Sequence, residues 1–173
     1  MGNLGGVAEE QGDADAAQSL YEESLALFRG IESPRGIATA LVSIGRLRAA
    51  NGCAGEAHTC LEEALALGYQ LDASDTVVLA QCHLASLADR DATDALSALG
   101  KREERLEHAA RMESRFLLWR ATHDPAHLTE AKRLLDHLVD HAPEEYREAM
   151  LTNVRLNREV MEAWSEHGGA AVE

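Results

Sequence analysis

The sequence predicts an all-α protein built as an α-solenoid of antiparallel helix pairs, with a C-terminal capping helix. Three observations predict it. Residues 20–31 read LYEESLALFRGI and residues 60–71 read CLEEALALGYQL, nearly the same run forty residues apart. A fixed period in the range of roughly 20–50 residues marks stacked repeats. The chain of 173 residues is 46% apolar and only 4% aromatic, with three prolines, and Ala and Leu dominate the apolar set. Straight-chain and small residues without β-branched runs favour helix.

Sliding the chain by the same interval aligns more than the quoted runs. Leu4-Gly5 falls on Ile44-Gly45, Gly12 on Gly52, Ala17 on Ala57 and Tyr21 on Leu61. In the second unit, Ser33 suits an N-cap and Pro34 a first helical position. Ile37, Leu41, Ile44 and Leu47 then form one helical stripe at spacings of three and four. Asn51-Gly52 ends that helix, Gly supplying a left-handed cap. A second helix runs from about Gly55 to Tyr69 and buries Ala57, Leu61, Ala64, Leu65 and Leu67. Small residues at Gly45 and Ala57 let the two helices approach closely.

These residues carry a resemblance to the tetratricopeptide repeat, whose consensus has Leu-Gly in the first helix, Gly at the turn, and Ala, an aromatic or Leu, and Ala in the second. Ile44-Gly45, Gly52, Ala57, Leu61 and Ala64 match it, as do Leu4-Gly5, Gly12, Ala17 and Tyr21. Ser24 replaces the last Ala, and Arg48 stands where the consensus has Tyr. The resemblance covers roughly residues 1–90, read as two 40-residue tetratricopeptide-like units and the first helix of a third. That helix starts at Thr76, with Leu84-Ala85 at the Leu-Gly place. Residues 91–142 read as degenerate helical repeats, with Ala131, Leu134, Leu135, Leu138 and Val139 on a buried face. Residues 143–173 read as one capping helix, from Pro143 to about Trp164, and a disordered tail.

The stretch from Arg115 to Val160 is similar to the C-terminal ends of large bacterial signalling regulators. Those proteins join a serine/threonine kinase or nucleotide cyclase to an ATPase core and a tetratricopeptide array. None of their catalytic motifs occurs here. The first unit also lacks the counterpart of Pro34–Ala40, which agrees with a fragment.

A formal charge of −14 repels phosphate backbones and argues against nucleic acid. No apolar run approaches the ~20 residues of a membrane span. Three cysteines without C-x-x-C spacing suggest neither a disulfide framework nor a zinc ribbon and fit a reducing cytoplasm.

Candidate chemistry is sparse. His137 and His141 share one helix face beside Asp136 and Asp140, but a metal needs a third or fourth ligand from elsewhere. His123 and His127 straddle a helix start at Pro125. Cys82 and His83, with Ser86 nearby, are adjacent on a helix and point apart, so no nucleophile–base pair forms. Glu22-Glu23 and Glu62-Glu63 recur because the repeat recurs. No enzyme activity, cofactor or metal is expected.

What the resemblance implies is a surface for a protein or peptide partner, with self-association through exposed repeat ends as a further route. In such arrays the first helices line a concave groove. Its expected lining here is Glu9, Glu10, Thr39, Val42, Arg46, Cys82, Ser86, Asp89 and Arg90. With Glu9 and Glu10 at one end and Arg46 and Arg90 farther along, the groove should accept basic peptide residues toward the first unit and acidic or polar ones toward the third.

Overall fold

A computed structural model describes residues 2–87 and 91–168. Among these the chain forms ten α-helices, one short 3-10 turn and no strand. It divides into two compact units, Met1–Arg105 and Leu106–Glu173.

The first unit holds α1 (Gly2–Glu10), α2 (Ala14–Gly30), α3 (Pro34–Ala50), α4 (Ala54–Gln70), α5 (Ser74–Ala85) and α6 (Thr93–Arg102), closed by a 3-10 turn at Glu103–Arg105. Successive helices pack on each other, and α3 also packs on α5. Alternate members of the stack are thereby brought side by side. The N-caps act as the sequence suggests at Ser33, whose hydroxyl accepts from the Gly36 N–H at 3.4 Å, and at Asp13, which accepts from Ala16 at 3.0 Å.

Four turns in this unit share one geometry. Asp13 N–H donates to Ala8 O, Ser33 to Phe28 O, Cys53 to Arg48 O and Ala73 to Gly68 O, each at 2.9 Å. This is the Schellman closure, which uses carbonyls orphaned at the helix end and needs a left-handed residue just beyond it. That residue is Gly12, Glu32, Gly52 and Asp72, a spacing of twenty. Glycine announces two of the four turns in the sequence. Glu32 (φ 50°) and Asp72 (φ 47°) carry a Cβ into the left-handed region, at a cost of ~1–2 kcal/mol. Glu32→Gly is therefore expected to raise the urea midpoint, by roughly 0.5–1 kcal/mol after the greater freedom of glycine in the unfolded chain is subtracted. An unchanged or lower midpoint would show that this turn is unstrained.

The consensus-like positions close the core. Leu61, Ala57 and Ala64 are fully buried, and Tyr21, Leu41, Ile44 and Leu47 nearly so. Arg48, at the place of the consensus Tyr, does not stack. It reaches Glu22 at 3.4 Å, Glu56 at 3.5 Å and the Cys60 thiol at 3.3 Å, tying the second helices α2 and α4 to α3 by polar contacts.

The second unit contains α7 (His108–Thr122), α8 (Pro125–His141), α9 (Glu144–Asn153) and α10 (Arg155–His167). α7 and α8 form a hairpin through His123, left-handed at φ 56°, and Asp124, whose carboxylate accepts from the Ala126 N–H at 2.9 Å. Leu128, Ala131, Leu134 and Leu135 of α8 pack with Met112 and Phe116 of α7 and with Val160 and Ala163 of α10.

The single capping helix expected from Pro143 to Trp164 is two helices, broken at Val154, which is extended (φ −95°, ψ 116°). Two α10 side chains satisfy carbonyls freed at the break: Asn157 Nδ2 donates to Met150 O and Arg158 donates to Thr152 O, both at 2.9 Å. Thr152, Asn153 and Val154 are weak helix formers, so the break is cheap. It lets α10 bury Val160 and Ala163 on α8 while α9 buries no side chain fully. Of the tail expected beyond Trp164, Ser165, Glu166 and His167 continue α10, and residues 169–173 lie outside the described residues.

Candidate functional site

The expected groove lies along α1, α3 and α5, and its residues meet different fates. Thr39 and Ser86 are exposed, their hydroxyls turned back to the carbonyls of Arg35 at 3.1 Å and Cys82 at 2.9 Å. Glu10 is exposed. Val42 and Cys82 are buried, with 9% and 1% of their surface exposed, so they belong to the packing beneath the face. Asp89 and Arg90 lie outside the described residues.

Glu9 and Arg46, expected as separate charges, are brought together. Arg46 grips the Glu9 carboxylate with both terminal nitrogens, Nη2 at 2.6 Å from Oε2 and Nη1 on Oε1. The Tyr21 hydroxyl donates to the same Oε2 at 3.2 Å. The two charged side chains are only 11% and 19% exposed. A bidentate guanidinium–carboxylate pair is the strong form of this contact. Burial pushes the Tyr21 hydroxyl above its ordinary pKa; Arg46 opposes the shift and Glu9 adds to it. The charge polarity expected along the groove is thus largely cancelled at its first-unit end.

A pocket of about 300 Å³ opens where the first turns of α3 and α5 adjoin. Arg35 and Thr39 line one side, Ser74, Asp75 and Thr76 the other, with Asp72 and Arg105 at its rim. Arg105 binds Asp72 Oδ2 at 2.6 Å and Arg102 binds Oδ1 at 2.8 Å. Hydrogen bonds from Arg105 and then Arg102 hold the Asp72 carboxyl down at about 2. Of these residues only Thr39 was marked by groove position. Arg35 was legible as a first-turn residue after Pro34. The clamp on Asp72 was not, because its partners stand thirty or more residues away and outside the period.

His108 from α7 stacks on His137 (ring centroids 5.5 Å apart), and His137 lies 4.1 Å from His141. Nε2 of His108 bonds Leu134 O, and Nδ1 of His141 bonds His137 O. Among the described residues no group of three His, Cys, Asp or Glu side chains is arranged to hold a metal ion. None of the described helices is long and apolar enough to cross a membrane. Cys53, Cys60 and Cys82 are not joined in disulfides.

Two glycines of the first unit are closely approached by the large residues of the following helices. A Cβ placed on Gly45 would sit 2.7 Å from Leu61 Cγ, and one on Gly5 would sit 2.6 Å from the Tyr21 ring. Gly5 and Gly45 are thus the seats of Tyr21 and Leu61. Residues 1–70 match the tetratricopeptide repeat family. No curated protein and no solved structure matches the chain. Tetratricopeptide repeats mediate protein–protein interaction, and the matched span covers the first two hairpins, including the Glu9–Arg46–Tyr21 cluster and all of α3 and α4.

Proposed function

We propose that the chain is a non-catalytic protein-interaction module that holds a peptide segment of a partner along α1, α3 and α5. The observation that carries the reading is the packing of α3 on α5 with Thr39 exposed between Arg35 and the α5 first turn. Small hydroxyls bonded to their own helices leave the backbone of a bound peptide room to approach. With Glu9 and Arg46 neutralising each other, shape and hydrogen bonding at Thr39, Ser86 and Glu10 set recognition, and Arg35 supplies charge at the α3 end.

The module works inside a larger cytoplasmic bacterial signalling or transcriptional regulator, a reading supported by the similarity of the Arg115–Val160 stretch. The partner segment then belongs either to another protein or to the parent's own kinase or ATPase domain. Exposed Leu4 and Val7 on α1 offer a contact for a second copy.

The test is affinity capture from the source cell with Thr39→Arg plus Ser86→Arg. Both side chains are exposed and bond only their own helices, so the fold should survive. Partners of the groove are lost in this variant and kept by Glu23→Arg on α2. Retention of every partner by the double variant would place recognition elsewhere.

A further inference from the structure

In the second unit α8 packs on both α7 and α10, so these two helices flank a cleft floored by Leu128 of α8. The cleft measures about 800 Å³. That volume is in the range of specific ligand sites. Its α7 wall is aromatic: Trp119 stacks on buried Phe116, centroids 5.6 Å apart, and meets the His167 ring at 5.5 Å. Its α10 wall is acidic, presenting Glu159, Glu162 and Glu166 against the single guanidinium of Arg120.

The acids differ. Glu159 is taken by Arg155 at 2.6 Å, with Arg120 at 4.0 Å. Glu166 has only the imidazole of His167, at 3.6 Å, and both Glu162 and Glu166 are exposed. Four apart on a helix, they share one face. The cleft thus joins an apolar, aromatic floor to two carboxylates that no guanidinium or ammonium holds among the described residues.

We propose that this cleft binds a short cationic, apolar peptide segment of a partner protein. A Lys or Arg head would meet Glu162 and Glu166. Its alkyl stem and an apolar neighbour would lie over Trp119 and Leu128, since such stems cover apolar surface while the head stays polar. An aromatic face beside the carboxylates favours a cation further. The shape favours a peptide over a small amine. From Glu159 to His167 the acidic wall spans roughly 12 Å at 1.5 Å per residue, the reach of about four extended residues at ~3.3 Å each. This site is independent of the groove on α1, α3 and α5.

The experiment titrates the full chain with the acetylated, amidated peptide Leu-Arg-Leu-Lys-Leu, with its counterpart bearing two Glu, and with phenethylammonium, by calorimetry and tryptophan fluorescence. The cationic peptide is expected to bind and to perturb Trp119. Glu162→Gln plus Glu166→Gln should weaken it about three- to tenfold, the worth of two rim charges. Glu144→Gln plus Glu145→Gln, which makes the same change in net charge on exposed α9, should leave it unchanged. Circular dichroism checks that both variants fold. Equal binding of the acidic peptide, no binding of the cationic one, or equal loss in both double variants would overturn the proposal. Phenethylammonium binding as tightly as the peptide would overturn the peptide assignment.

Discussion

Gly45→Leu should unfold at markedly lower urea than the parent protein. A Cβ at this position already falls 2.7 Å and 2.9 Å from Leu61 Cγ and Cδ2, and 3.3 Å from the Ala57 carbonyl oxygen. Leu61 is fully buried and cannot swing away, and the carbonyl belongs to the α4 backbone. Overpacking of this kind costs ~1–3 kcal/mol. Replacing a mid-helix glycine returns up to about 1 kcal/mol of helix propensity, which does not offset the clash of a branched side chain. Leu61→Ala should cost ~2–5 kcal/mol by the opposite route, an unfilled cavity. The two sites touch, so their effects should not add. Gly45→Ala should be tolerated far better in the Leu61→Ala background, where its methyl group enters vacated space. Gly45→Leu melting with the parent while Leu61→Ala does not would disprove the helix pairing.

Arg46→Ala is expected to be costly and to be partly rescued by a second substitution. It leaves the Glu9 carboxylate, 11% exposed, facing the Tyr21 hydroxyl without its cation. Breaking a buried pair from one side costs ~3–5 kcal/mol, and the residual solvent contact of this pair places it toward the lower end. Glu9→Gln in the same chain removes the orphaned charge and should restore most of the loss, since a neutral replacement of both partners is often close to neutral. Chemical denaturation of the four members of the cycle gives the coupling energy directly. Equal stability of Arg46→Ala and the double variant would mean that the uncompensated Glu9 charge is not what destabilises the single variant, and an Arg46→Ala variant as stable as the parent would mean that the pair is dispensable. Arg46→Glu would set two carboxylates face to face and probe the fold rather than the groove.

Much of the first unit was legible in the residues because its information is periodic and local. The Leu-Gly, Gly-turn and Ala-Leu-Ala positions of the second hairpin place the buried face of α3 against that of α4 without knowledge of any other helix. Gly52 announces its turn because a left-handed residue without a Cβ is the cheapest ending for a helix. Glu32 makes the same turn silently, and Asp72, although Asp enters the left-handed region more readily than most residues, gives a far weaker signal than glycine. The candidate groove was legible as helix positions and not as chemistry. A position on α3 says which way Arg46 faces, but its charge is spent on Glu9, thirty-seven residues earlier, which only superposition of α1 on α3 reveals.

The sequence by itself determined the helical class, the forty-residue period, the consensus-like core about Gly45 and Leu61, and the two glycine turns. These follow from spacings within one helix or one hairpin, where periodicity dictates burial. Tertiary structure alone decided the Glu9–Arg46–Tyr21 cluster, the double guanidinium clamp on Asp72, the break at Val154 and the aromatic–acidic cleft of the second unit. The first two depend on side chains from distant elements arriving within about 3 Å of one another, the break on Asn157 reaching back to the Met150 carbonyl, and the cleft on α7 and α10 both lining it beside α8. Electrostatic and hydrogen-bond partners are chosen at that range, and hydrophobic spacing along the chain carries no record of them.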